Sequence, residues 1–229
     1  MLSQYQASPR LGHLAVLYNV FAYLKKHPDM GRLAYDSKAP DVDESAFVQG
    51  ADWKDLYGNV EEELPPRIPE LRGIPVIISA FVDADHSGYV VTSCSYTGII
   101  IFVQNAPIIW FLKRQNTVEA ATFGSEFFAL MICKEPIVAL RYKLRMFGIP
   151  IEGTTNIFCE NSGVLLNSSR PESTLQKKQN TINYHVVREA ATAGILRVGK
   201  EDGTTNSEDV LTKVLTGQKR WDLCYSIMW

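Results

Sequence analysis

The sequence predicts an α/β fold with an N-terminal helical and extended appendage. Three strand-like apolar runs in close succession, at 76–83, 97–104 and 108–112, read as an antiparallel meander joined by short connections such as Asn105-Ala106-Pro107. A long helical pattern over 118–147 follows, and beyond it short strands and helices alternate as far as residue 215.

Before the meander, residues 9–27 form a helical pattern in which Leu14, Leu17, Phe21 and Leu24 recur at helical spacing. Lys25, Lys26 and His27 fill its last turn, and Pro28 stops it. Residues 37–74 are acidic and proline-bearing, as in Glu61-Glu62-Glu63-Leu64-Pro65-Pro66, and predict an extended connector with little regular structure. After the long helix, which Gly148-Ile149-Pro150 stops, a strand is expected at 157–160 and a helix at 161–167 with Asn161 as its N-cap. A polar loop at 168–181 leads to a helix at 183–193 and a strand at 195–199. A last helical stretch starts near Ser207 and is broken by Gly217. Pro136 falls inside the long helix, where it removes a hydrogen bond and is expected to kink it. The division is therefore an appendage at 1–74, a main domain at 75–215 and a tail at 216–229.

Composition bounds what such a chain does. At 229 residues, 46% hydrophobic and 21% charged, it is a globular chain with a sizeable core rather than a disordered or fibrous one. A net charge of −2 excludes attraction to nucleic acid by bulk charge, so any such surface is a local patch. Cys94, Cys133, Cys159 and Cys224 are far apart and form no CxxC pair, which argues against structural zinc and against a disulfide framework. Cys133 and Cys159 lie in apolar runs and read as small core residues, in a reducing compartment. The apolar stretch 14–24 contains Asn19, has no cationic lead-in and is too short to span a bilayer, so no membrane role is expected.

Four acids stand out by their settings. Asp83 ends the first strand, Glu126 lies on the long helix, Glu160 closes the short strand, and Asp209 opens a short amphipathic stretch. Carboxylates gathered from strand ends and helix starts can hold two divalent ions for phosphodiester hydrolysis. Mg²⁺ suits oxygen ligands and retains waters. Each acid also has a plainer reading. Asp83 and Asp85 can cap a turn, Glu126 can lie at the helix edge, and Asp209 can sit at a helix start where the dipole favours an anion. Glu126 shares a helical face with Leu130, Cys133 and Ile137, which is apolar and expected to pack on the sheet. Glu119 reads as a solvated first-turn acid.

An ordered series of short motifs carries a resemblance. It comprises Phe81-Val-Asp-Ala-Asp-His86, Thr97-Gly98, Pro107-Ile-Ile-Trp110, Lys113-Arg-Gln115, Ser125-Glu126, Phe158-Cys-Glu-Asn161, Tyr184-His-Val-Val-Arg-Glu189 and Asp209-Val-Leu-Thr-Lys213. Together these resemble the ribonuclease H domain of copia-type LTR retrotransposon polyproteins. The segment before residue 75 resembles the stretch that follows the polymerase fingers and palm there, through Pro9-Arg-Leu-Gly-His13, Tyr23-Leu-Lys25, Leu33-Ala-Tyr-Asp36 and Asp52-Trp53. The resemblance implies a ribonuclease H-like mixed sheet, an antiparallel three-strand meander plus parallel strands, flanked by helices.

It also implies a metal-binding tetrad of Asp83, Glu126, Glu160 and Asp209, two Mg²⁺ (or Mn²⁺) ions, and His185 as a further catalytic candidate. A lone helical histidine is more often a packing or hydrogen-bonding residue. An RNA·DNA hybrid is the implied substrate, a reverse-transcriptase domain a partner, and the cytoplasm or nucleus the compartment. Glu160 departs from the family, which has aspartate there. The extra methylene moves the carboxylate by roughly an ångström or more, against metal-site tolerances of about half that.

Lys113, Arg114 and Gln115 after the third strand, and Lys177 and Lys178 in the polar loop, are candidate contacts to nucleic acid. Arg141, Lys143 and Arg145 add charge near the end of the long helix, and an ordinary solvated face is the alternative for all of these. Trp110 could stack on a base, but in a strand next to Ile108 and Ile109 it reads as core. No Tyr-x-Asp-Asp polymerase signature and no integrase-like His/Cys cluster is present. The expectation is hydrolysis of the RNA strand of a hybrid. The alternative is a catalytically weak or inactive nucleic-acid-binding remnant.

Overall fold

The computed structural model describes residues 8–26, 37–48, 51–86, 93–175, 180–203, 205–207, 209–213 and 215–228. Strands β1 (Ile78–Asp85), β2 (Tyr96–Val103), β3 (Ala106–Arg114), β4 (Thr155–Cys159) and β5 (Leu196–Lys200) form one sheet in the order β3-β2-β1-β4-β5. β1, β2 and β3 pair antiparallel, as the short connections require, while β1–β4 and β4–β5 are parallel. Helix α3 (Thr122–Met146) makes the crossover from β3 to β4, and α4 (Ser162–Ser169) with α5 (Thr181–Thr192) makes the one from β4 to β5. This is the ribonuclease H-like mixed sheet.

Strand alternation divides the sheet into two faces. Ile78, Ala80, Val82 and Ala84 of β1 join Ile99, Ile101, Ile157 and Cys159 in the core beneath α3. From α3, Leu130, Cys133 and Ile137 meet them, all fully buried at the helical spacing the sequence shows. Pro136 lies within α3, which continues unbroken to Met146. The helix begins four residues later than expected, at Thr122, and Glu119 before it is buried rather than solvated. A Cβ on Gly124 would overlap the Glu119 carboxylate, so glycine there makes room for that acid.

The opposite face carries an aromatic group. Phe81 stacks on Phe158 with ring centroids 5.1 Å apart, and Phe47 from the appendage tilts onto Phe158 at 5.4 Å. The expected loose connector is thus anchored. Asp43 caps a 3-10 turn at Glu44–Ala46, Phe47 is buried and bridges to Gly199, and Arg197 lies over the Phe47 ring while forking onto Glu44. Farther on, helix α2 (Lys54–Tyr57) places Trp53 and Tyr57 beside Arg188 of α5. Glu62 then binds Arg141 and Arg145 of α3.

By contrast, helix α1 (Leu11–Lys26) has no buried residue, and Leu14, Leu17, Phe21 and Leu24 stay exposed. Two helices end the chain, α6 (Asp209–Thr212) and α7 (Gly217–Met228). No helix among the described residues is long and apolar enough to cross a membrane.

Candidate active site

Parallel pairing of β1 with β4 sets the geometry of the first two acids. Phe81 is in register with Phe158, so two residues on, Asp83 and Glu160 come to the same end of adjacent strands. Asp83 is buried on the sheet face away from α3 and accepts a hydrogen bond from Thr212 Oγ1 at 2.8 Å. Glu160 is half-buried and accepts from Asn206 Nδ2 at 3.3 Å. Asp209, first residue of α6, is fully buried. Glu126 is the fifth residue of α3 and arrives from the other layer of the fold. Burial pushes its carboxyl up to about 7, helped by the charges of Asp83 and Glu160 and opposed by a hydrogen bond with Asn161 and the charge of Lys213. All four acids therefore share one neighbourhood.

A lysine sits among them. Lys213 Nζ is 2.5 Å from Asp209 Oδ1, 3.2 Å from Glu160 Oε1 and 3.5 Å from Asp83 Oδ2. Burial works against its positive charge, but the bond to Asp209 and the charges of Asp83, Asp209 and Glu160 outweigh that and raise its pKa. Lys219 of α7 holds the other oxygen of Asp209 at 2.7 Å. Asp85, two places beyond Asp83, is half-buried, and its carboxyl is raised by burial and then by Asp83.

The donor set, carboxylate oxygens alone, has the chemistry of a Mg²⁺ or Mn²⁺ site. Its arrangement is closed on the lysine, however: among the described residues no three acidic, histidine or cysteine side chains converge to hold a metal ion.

The remaining expected residues separate. His185 lies on α5, and Tyr57 of the appendage bonds its Nδ1 at 2.7 Å. Its partner is therefore a tyrosine rather than any of the four acids. Lys113 and Arg114 are exposed at the end of edge strand β3. Gln115 corrects the expectation of a nucleic-acid contact: it is fully buried and donates to Thr97 Oγ1 at 2.9 Å and Ser125 O at 2.8 Å, tying β2 to the start of α3. Lys177 and Lys178 lie outside the described residues.

Arg141 and Arg145 are not a free basic face, because Glu62 takes both. Trp110 is half-exposed, not core: it pairs with Ile100, itself paired with Phe81, and so lies on the sheet face away from α3, at the outer edge. Sequence reasoning gave no role to Lys213, Lys219 or His86, whose Nδ1 is 3.3 Å from Ser125 Oγ beside Glu126. The signal for Lys213 was its position four residues after Asp209, the spacing of a helical ion pair.

The fold is ribonuclease H-like, with acids collected where the parallel strands end. The homologues of the chain are retrovirus-related Pol polyproteins of transposons, of the copia type that the motifs resemble. It is 26% identical over 145 residues to the Pol polyprotein of transposon RE2 from Arabidopsis thaliana, a match covering 63% of this chain and 10% of that protein. With the Pol polyprotein of transposon TNT 1-94 from Nicotiana tabacum it shares 25% identity over 156 residues, 68% of this chain and 12% of the relative. The chain thus spans about a tenth of the length of the curated relatives it matches. Among solved structures, it is similar to the N-terminal ribonuclease H domain of a Mycobacterium tuberculosis protein. That match has 11% identity and a TM-score of 0.47, and covers 66% of this chain and 96% of the other. No family model matches the sequence.

Proposed function

We propose that this chain is a retrotransposon-derived ribonuclease H domain that hydrolyses the RNA strand of RNA·DNA hybrids. The observation that carries the reading is the gathering of Asp83, Glu126, Glu160 and Asp209 around one cation position at the strand ends. Two divalent ions, Mg²⁺ or Mn²⁺, would be held by Asp83, Glu126, Glu160 and Asp209. Bound there, such ions supply a water of lowered pKa and charge at the leaving 3′-oxygen.

The residues of the chain do the rest. Thr212 fixes the Asp83 carboxylate, Lys219 fixes one oxygen of Asp209, and Asn161 orients Glu126. Lys113 and Arg114, exposed at the end of β3, would be the basic pair that meets phosphates. Trp110, on the same strand, offers an exposed ring for stacking. We assign no step to His185, whose ring Tyr57 holds. In this reading the appendage is the join to a reverse-transcriptase domain, and the protein works in the cytoplasm or nucleus, where such hybrids form.

A second reading, an inactive nucleic-acid-binding remnant, is favoured by Glu160. It stands where the resembled family has aspartate, and Asn206 and Lys213 both hold it. One experiment separates the two: cleavage of a labelled hybrid in Mg²⁺ and in Mn²⁺, with Asp83→Asn and Glu160→Asp alongside. Cleavage lost in Asp83→Asn, and faster in Glu160→Asp, supports the nuclease. No cleavage by any folded variant in either metal leaves the remnant.

A further inference from the structure

Lys213 makes three ion pairs at once, and each partner is one of the four candidate metal ligands. Asp83 and Asp209 are buried, so among the described residues removing that ammonium would leave Asp83 with the Thr212 hydroxyl and Asp209 with the Lys219 ammonium. An uncompensated buried carboxylate is costly, so a cation at that place stabilises the folded protein.

Lys213 is also built to leave. It lies just past the end of α6, and its side chain is 38% exposed. Its departure breaks no helix, and Lys219 retains the far oxygen of Asp209 at 2.7 Å. A divalent ion at the same place would face the oxygens the ammonium now faces, and two cations cannot share them.

We propose that Lys213 is the resident cation of the acid cluster and competes with divalent metal, so that an ion loads between Asp83, Glu160 and Asp209 only as the ammonium swings out. This rests on the nuclease reading above and adds a control to it. The protein folds with its acids neutralised before metal arrives, and the lysine sets the metal concentration at which the site fills. The ejected ammonium remains at the rim of the site, within reach of an anionic substrate.

The test is direct binding of Mn²⁺, measured by calorimetry on full-length wild type, Lys213→Met and Lys213→Arg, each checked for folding by circular dichroism. Lys213→Met is expected to bind about tenfold or more tightly than wild type, with Lys213→Arg staying weak. In EDTA the order reverses, and Lys213→Met melts at a lower temperature than wild type. A lysine with a merely structural role would not give opposite changes in the two conditions. Equal affinity and stoichiometry in wild type and Lys213→Met overturns the competition while leaving the nuclease reading intact. No Mn²⁺ binding by any folded protein overturns both.

Should Lys213→Met fail to fold, amine labelling of the native chain decides. The labelling rate of Lys213, read by mass spectrometry, rises on adding Mn²⁺ if the ammonium is displaced, and an unchanged rate rejects the proposal.

Discussion

Glu62 and Arg141 are 79 residues apart in sequence, yet the carboxylate of one meets the guanidinium of the other through two bonds, Nε at 2.7 Å and Nη2 at 2.9 Å. Arg145 forks onto the same carboxylate, and Arg141 is almost completely buried. Burial alone would raise the Glu62 pKa, but the bonds to both arginines outweigh it and hold the carboxyl below its ordinary value. Removing one member of such a pair leaves a buried charge. Glu62→Ala is therefore expected to cost about 3–5 kcal/mol in urea unfolding. Glu62→Leu combined with Arg141→Met is expected to recover most of that loss. A Glu62→Ala variant as stable as wild type would show that the appendage is not held by this clamp.

Gly199 is the counterpart of Phe47. A Cβ at 199 would stand 2.7 Å from Phe47 Cε1 and 2.9 Å from Cζ. That ring has little freedom to move, since it is held between Phe158 and Arg197. Gly199→Ala is expected to lose roughly 1–3 kcal/mol by overpacking and to expose residues 43–47 to protease. Phe47→Ala in the same chain removes the clash, so the double variant should be less damaged than the sum of the two singles. Simple additivity would disprove the contact.

These two contacts also show where sequence reading stops. The sheet was legible because its signals are local: β-rich runs, short connections and an apolar helical face at Leu130, Cys133 and Ile137, all of which packed as their spacing implied. Asn161 was legible as a cap for the same reason, its side chain accepting from the backbone of Gly163 and Val164. The four acids were legible through ordered motifs. Partners over long range were not. Glu62 looks like one of three solvated glutamates, and nothing near it in sequence names Arg141. Gln115 beside Lys113 and Arg114 reads as one of three nucleic-acid contacts until the chain just past β3 buries it. Lys213 has only Asp209 within helical reach in the sequence, and only the fold brings Asp83 and Glu160 to it.

Gln115 and its two basic neighbours should accordingly fail in different ways. Gln115→Ala leaves Ser125 O without its buried donor, and is expected to cost about 1–3 kcal/mol of stability. Hybrid affinity of the folded fraction should stay unchanged. Lys113→Ala with Arg114→Ala should leave stability within about 0.5 kcal/mol. The same pair should weaken hybrid binding and reduce its salt dependence by roughly one phosphate contact per residue. Filter binding across a salt series, beside thermal melts, reads both. A salt slope untouched by the double variant would remove β3 from the nucleic-acid surface.

Glu126 makes the metal-free protein sensitive to pH. Its carboxyl is pushed up to about 7 by burial first, then by Asp83 and Glu160, while the unfolded chain titrates near the ordinary glutamate value of about 4.3. Between those two values the native state keeps a proton that the unfolded state has lost. The contribution of this group to stability is therefore greatest at low pH, falls as pH rises toward 7, and is constant above it. Glu126→Gln holds the neutral form at every pH. In EDTA it should lack that decline and exceed wild type above pH 7 by roughly 1–2 kcal/mol, a figure reduced for partial exposure. Mg²⁺ should flatten the wild-type decline, because a bound cation favours the carboxylate. Urea unfolding at pH 5, 6, 7 and 8, with EDTA and with Mg²⁺, measures each of these. Parallel stability curves for wild type and Glu126→Gln in EDTA would place Glu126 outside the shared acid neighbourhood.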